Sequence, residues 1–292
     1  MSISSQDAAV VYPISLSPIL MPLDPPSIVR AFLASGSLPL SRSISQVQTM
    51  LSSADYDSCD LAEHLRMDGN LAAKVMAAAN SAFFSRQPCA TIDDAVNRLG
   101  TVQLSRIFAQ VLGNAALVHP YHAYDLPAQA IWRHSIFAAV GAEMAARRKG
   151  EDRSAAYMVG LLHLIGMLVI DHLWVKKPGS PKFTLVNFAQ EWSTDEIKFC
   201  GIDHPTFGAE LLRQLTFPES IVKTIATQYD DPTDSLSNAL YVGRMSRAFR
   251  GITLKIDHCQ EVIAHYDLNP ESKLQSFLTD IREEAQRAMQ AS

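Results

Sequence analysis

The run from Ala155 to Ile170 constrains the fold most. It is sixteen residues of almost unbroken apolar character, bounded by Arg153 and Asp171. As a helix it rises about 24 Å, short of the roughly 30 Å hydrocarbon slab of a bilayer. It also carries His163, a poor residue to leave in lipid. The run therefore predicts a helix buried at the centre of a globule, extending to about Trp174 and capped by Ser154. The chain predicts no membrane span.

Helical periodicity recurs on both sides of this run. Ile131, Ser135, Ala138, Ala142 and Ala145 fall on one face of a long helix from about Ala128 to Arg148. Shorter amphipathic helices are predicted before it. They include a stripe at Ile28, Val29 and Phe32, opened by Pro26 and stopped by Gly36. Asp68 caps a helix through Leu71, Val75 and Ala79, and Thr91 caps another that stops at Gly100. Thr101 then opens a helix through Phe108. After the central run, Lys176–Lys182 reads as a loop. Helices follow near Thr194–Cys200, Thr206–Leu215, Pro218–Gln228, Leu236–Phe249 and Glu271–Met289. No strand alternation or internal repeat is seen, so the fold class is all-α.

Residues 1–25 contain a short β-like patch at Val10–Tyr12 and then Pro13, Pro18, Pro22 and Pro25, with Pro26 just after, a pattern that resists helix and central strand. Residues 1–35 therefore read as an N-terminal arm with a possible short helix. A lobe of short helices covers 36–120, a lobe centred on two long helices covers 121–250, and a helical extension covers 251–292. The turn between the lobes lies near 115–128, where Pro120 and Pro127 bracket a linker-like stretch.

Of the 292 residues, 48% are apolar, enough for a sizeable core. Twenty-five basic against thirty acidic residues give a formal charge of −5, which offers no general attraction to nucleic acid or anionic lipid. The basic end of the long helix, Arg147-Arg148-Lys149, offsets the helix dipole and faces solvent. Cys59, Cys89, Cys200 and Cys259 have no metal-knuckle or redox spacing and read as reduced thiols. With no basic segment heading the N-terminus, a cytoplasmic location is expected.

Three histidines, His134, His163 and His204, sit in or at the start of predicted helices and are candidates to converge. Imidazole suits borderline transition metals. A hydrolytic dinuclear centre also needs a carboxylate, yet His163 is followed by Leu164, which cannot bind a metal or a proton. The plain alternative is that each histidine is a satisfied core or helix-start residue. No glycine-rich phosphate loop is present. Cys200 and His204 do not read as a nucleophile pair, and Asp93-Asp94 and Asp230-Asp231 read as a helix start and a turn.

Several segments together resemble the bacterial HDOD domain. The first half carries Leu61–Leu65, Asp68–Leu71, Ala79–Phe84 with its Asn80-Ser81 pair, Ile92–Val96 and Leu99-Gly100. The second half carries Trp132-Arg133-His134-Ser135, Gly160–Gly166, Gly201–His204 with Gly208-Ala209, and Leu215–Pro218. The resemblance covers residues 36–250. It implies kinship with HD-type metal-dependent phosphohydrolases and places His134, His163 and His204 at imidazole positions of that arrangement. It also implies lost ligands. Leu164 stands where the paired aspartate would be, Gln228-Tyr229 stands where two adjacent histidines are common, and Leu240–Gly243 offers no carboxylate. Asn80, Ser81, Gly100, Trp132 and Gly166 are family positions read as structural, with Asn80 fixing a turn.

The resemblance thus implies a non-catalytic signal-transduction or regulatory module that acts through a protein partner and needs no cofactor. Two alternatives accompany it. One is a metal-dependent nucleotide or cyclic-nucleotide phosphohydrolase with a reduced three-histidine site. The other is binding of a small nucleotide without hydrolysis, with Arg133 or Lys176 on the phosphate.

Overall fold

A computed structural model describes residues 24–38, 46–47, 49–51, 53, 57–81, 87–175, 182–183, 189–245 and 259–290. The expected patch at Val10–Tyr12 and the loop at 176–181, with Lys176, lie outside them. Among the described residues the protein is all-α, with no sheet.

The N-terminal helix α1 (Pro25–Ala34) begins where Asp24 accepts a hydrogen bond from the Ser27 amide. It ends before Gly36, whose φ of 71° is the left-handed conformation glycine tolerates best. Val29 and Phe32 are buried in the main core, so this part of the expected arm packs onto the body.

Helices α2 (Ser58–Arg66) and α3 (Gly69–Ala79) lie against the first part of α4 (Ile92–Leu117). Asp68 and Thr91 accept from the amides of Leu71 and Asp94, as their cap positions predict. Leu61, Leu65, Leu71, Val75, Val96 and Leu104 make a small core there. Helix α4 breaks direction at Gly100, which has φ 65° and ψ 175°. That region is essentially closed to residues with a Cβ. Beyond the break, Ala109, Leu112, Ala116 and Leu117 enter the main core, so α4 belongs to both cores.

The stretch from Pro120 to Pro127 is not a linker. Tyr121, Ala123, Tyr124 and Leu126 are all buried, around a single 3-10 turn at His122–Tyr124. The Tyr121 hydroxyl donates to Ala116 O at 2.9 Å, and the Ala123 amide donates to Asp171 at 2.7 Å. The prolines end helices here, while the tyrosines and the buried aspartate tie the segment down.

Helix α5 (Ala130–Lys149) runs through the middle. Its small residues allow close approach on two sides. A Cβ on Gly160 would stand 2.5 Å from Ala138 O, and one on Gly243 would stand 2.2 Å from the same atom. Gly160 belongs to α6 (Arg153–Leu162) and Gly243 to α11 (Ser235–Met245), so both helices clasp α5 at Ala138. The C-terminal helix α13 (Glu271–Gln290) covers α5 from outside through Phe277, Ile281 and Ala285. A helix the periodicity missed, α12 (Cys259–His265), precedes it.

The apolar run at 155–170 is not one helix. Helix α6 is capped by Asp152 rather than Ser154, with the Ala155 amide donating to Asp152 at 3.0 Å. It ends at Leu162, residues 163–166 turn, and α7 (Met167–Val175) resumes. The break has a steric origin. At Gly166 the chain passes so near α9 (His204–Gln214) that a Cβ would lie 1.9 Å from His204 O. By length and composition Arg153–Val175 could cross a bilayer, a longer stretch than the sixteen residues considered above. Of its most apolar window, 78% is buried inside the protein, so it serves as core. The remaining helices, α8 (Ala189–Cys200) and α10 (Glu219–Ala226), complete the main body.

Candidate functional site: a buried histidine cluster

The turn after α6 brings its histidine to the long helix. His134 on α5 and His163 at the end of α6 are both buried, with ring centroids 5.3 Å apart. His163 Nδ1 lies 2.7 Å from Gly160 O. A carbonyl only accepts, so Nδ1 carries the proton. Burial, followed by the neighbouring His134 and the positive charge of Arg244, holds His163 well below the usual imidazole range. It is therefore neutral, and its Nε2 is an acceptor.

His204 opens α9, where Asp203 caps the helix by accepting from the Thr206 amide at 3.1 Å. Burial alone would raise the Asp203 carboxyl. Hydrogen bonds from Ser193 and Thr206 outweigh it and hold the group below its ordinary value. His204 is fully buried against Glu196 of α8, which is also fully buried. The Glu196 carboxylate accepts from the His204 amide at 2.7 Å, from His204 Nδ1 at 2.7 Å and from the Tyr124 hydroxyl at 2.6 Å. With Nδ1 donating to a carboxylate, His204 Nε2 accepts from the Tyr229 hydroxyl, 2.9 Å away. Burial first, then the Glu196 charge, push the Tyr124 hydroxyl far above its ordinary range, so it stays a donor.

Gln228 and Tyr229, beyond the end of α10, fill the cluster from the other side. Gln228 Nε2 donates to His163 O at 2.8 Å. Arg244 of α11 donates to the Gln228 carbonyl, and its guanidinium sits over the Tyr229 ring, 4.4 Å from the centroid. This cation–π contact and the carbonyl acceptor stabilise a charge that would otherwise be costly half inside the protein. Leu164 points into the core and is fully buried.

These residues do not fit a catalytic metal. Both ring nitrogens of His204 are committed, one to a carboxylate and one to a phenol. Leu164 offers no oxygen, and the Arg244 guanidinium already stands at the cluster on Tyr229 and Gln228. Among the described residues, no group of three or more His, Cys, Asp or Glu side chains could hold a metal ion. The protein thus has an incomplete, degenerate HD-type site. The structure brings His134 and His163 together and sets His204 near enough to interact electrostatically with His163.

The five family positions read as structural lie around this cluster or in the first lobe. The Asn80 side chain accepts from the Cys89 amide at 2.6 Å and donates to Cys89 O at 3.3 Å, closing the segment between α3 and α4. Ser81 follows it, half-buried. Gly100 makes the break in α4, Gly166 makes the close approach to His204, and Trp132 lies half-buried against the main core. Sequence reasoning missed Glu196, Tyr124 and Arg244. Glu196 had one signal: Trp192, Glu196 and Cys200 are four apart, and all three are buried on one face of α8.

The model of the HDOD domain matches residues 38–231. No curated protein matches the chain. Among solved structures, a protein provisionally assigned to signal transduction from Marinobacter aquaeolei VT8 aligns with a TM-score of 0.59 and 20% identity. That alignment covers 92% of this chain and 66% of the other, so the chain spans just under two thirds of that relative. An HDOD domain protein with unknown function from Geobacter sulfurreducens aligns with a TM-score of 0.57 and 21% identity, covering 89% of this chain and 96% of its own. A protein provisionally assigned as a phosphohydrolase from Shewanella amazonensis SB2B gives 0.53 and 24%, covering 87% and 88%. At these identities the structures share the fold. With its family model matched over residues 38–231, the chain belongs to the HDOD domain family.

Proposed function

We propose that this protein is a non-catalytic regulatory module of bacterial signal transduction that works in the cytoplasm by binding a protein partner. A general signalling or regulatory role goes with HDOD-like domains, and the Marinobacter relative is provisionally assigned to signal transduction. The observation that carries the non-catalytic reading is the internal closure of the histidine cluster. His204 is held at both nitrogens by Glu196 and Tyr229, and Leu164 stands beside His163 where an oxygen ligand would be needed. A centre that must bind a metal and activate water needs open coordination positions. Here the same atoms hold α8, α9 and the segment after α10 together.

Two measurements test the reading. Protein purified without chelators is assayed for bound transition metals and for hydrolysis of nucleotides and cyclic dinucleotides. The expected result is substoichiometric metal and no turnover; a full metal complement with turnover would overturn the proposal. Crosslinking in native cells, followed by reconstitution with the purified candidate, tests the partner. A defined one-to-one or higher complex is expected. Failure to reconstitute any complex across growth conditions counts against the interaction role.

A further inference from the structure

Two surface cavities lined by described residues have polar linings, and they differ in how their side chains are engaged. One, of about 280 Å³, lies between α4, α5, α6 and α13. Five of its eight charged side chains already pair with one another. Glu143 pairs with Arg106 and Arg153 at 2.9 Å each, and Arg287 pairs with Glu284 at 3.0 Å. A ligand entering there would have to break ion pairs that already exist.

The other cavity, of about 590 Å³, lies between the start of α5 and the last turn of α13. Gln129, Trp132 and Arg133 line it from one side and Gln286, Met289 and Gln290 from the other. Its volume falls in the range of about 300–1,000 Å³ typical of small-molecule sites. None of its four polar side chains makes a hydrogen bond or ion pair with another described residue. Gln129 occupies the cap position of α5 at φ 67°, yet its side chain does not cap the helix. Among the described residues no carboxylate lines the cavity, and the Arg133 guanidinium is the one formal charge there. On α13 the spacing 286, 289, 290 puts two amides and a thioether on the same helix face.

We propose that this cavity binds an adenine nucleotide, without hydrolysis and away from the histidine cluster. Each part of such a ligand meets a matching group. The half-buried indole of Trp132 and the Met289 thioether offer flat or pliable apolar contact for a purine ring. A glutamine side chain presents one donor and one acceptor in the spacing that matches the N6/N7 edge of adenine. The guanidinium of Arg133 suits a phosphate, which it binds through paired charge-assisted hydrogen bonds. A purely apolar ligand would leave Arg133 unused, and a cation would be repelled by it.

The probe is adenosine diphosphate, titrated into the full chain by calorimetry and by tryptophan fluorescence, with adenosine, guanosine diphosphate and cytidine diphosphate beside it. Saturable binding of adenosine diphosphate is expected, with adenosine and cytidine diphosphate weaker. Arg133 is exposed, so Arg133→Ala keeps the fold, which the thermal melt verifies; it weakens binding of adenosine diphosphate by about tenfold or more. Trp132→Phe keeps a stacking face and removes the local fluorophore. Binding by calorimetry then persists while quenching is lost, because Trp174 and Trp192 lie elsewhere. Three results would overturn the proposal: no saturable binding at millimolar nucleotide, unchanged affinity in folded Arg133→Ala, or quenching that survives Trp132→Phe.

Discussion

Glu196 accepts three hydrogen bonds inside the core, two from His204 and one from Tyr124, so it ties the start of α9 to the segment before α5. Removing the carboxylate strands a buried imidazole N–H, a buried amide and a buried phenol together. Glu196→Ala is expected to cost about 3–5 kcal/mol in urea denaturation, the range for breaking a buried pair on one side. Glu196→Gln keeps the shape and costs less. His163 makes a prediction in pH. Its folded value lies well below the 6.5 of the free imidazole, so below about pH 6.5 the unfolded chain takes up a proton that the folded chain refuses. The contribution is complete above pH 6.5 and is lost as the pH falls toward the folded value, at up to about 1.4 kcal/mol per pH unit. Denaturation measured from pH 7.5 to 5 shows that slope, and His163→Gln flattens it. At this scale the sequence was partly legible. Leu164 announced the missing oxygen, because an aliphatic side chain has one chemical meaning in any surroundings. Glu196 did not announce itself, since Asp195 and Lys198 beside it make the helix read as solvated. Its burial depends on which helix lies opposite, and a single chain segment does not encode that.

Helix contacts at the centre depend on missing side chains. Gly160 and Gly243 let α6 and α11 reach the backbone of α5 at Ala138. Alanine in a helix interior is ordinarily favoured over glycine by about 1 kcal/mol. Gly243→Ala reverses that sign, because the new methyl would meet backbone rather than a flexible side chain. A loss of about 1–3 kcal/mol is expected, seen as a lowered Tm. Gly69→Ala is the control. No atom lies within 4 Å of its Cβ position, so a gain of about 0.4–1 kcal/mol is expected. Periodicity placed most of these helices and several caps, because apolar spacing and capping residues act within a few positions of each other. It failed where an element ends for tertiary reasons. The break at 163–166 comes from Gly166 meeting His204, 38 residues away in sequence, and the tyrosines between Pro120 and Pro127 are buried by α8 and Asp171.

Across the whole molecule, one connected set of bonds runs from Tyr124 through Glu196, His204 and Tyr229 to Arg244, and from Arg244 through Gln228 back to His163. It joins the segment before α5 with α6, α8, α9 and α11. Within it the Arg244 guanidinium supplies the positive charge at the cluster. A ligand that binds only the folded state raises stability in proportion to the logarithm of its concentration over Kd. Chelator, manganese and zinc at moderate excess are therefore expected to leave the Tm unchanged. Arg244→Met tests the source of that independence. It keeps much of the apolar stem while removing the charge, the hydrogen bond to Gln228 and the stacking on Tyr229. The methionine variant is expected to lose about 2 kcal/mol or more, since a half-buried charged hydrogen bond and a cation–π contact vanish together. Leu164→Asp in the native background is expected to destabilise as well, because it places a carboxylate where Leu164 is fully buried, and to gain no metal affinity while Arg244 and Tyr229 hold the cluster. A rise in Tm with manganese in Leu164→Asp alone would mean that the imidazoles remain open to an ion, and that the guanidinium does not close the site.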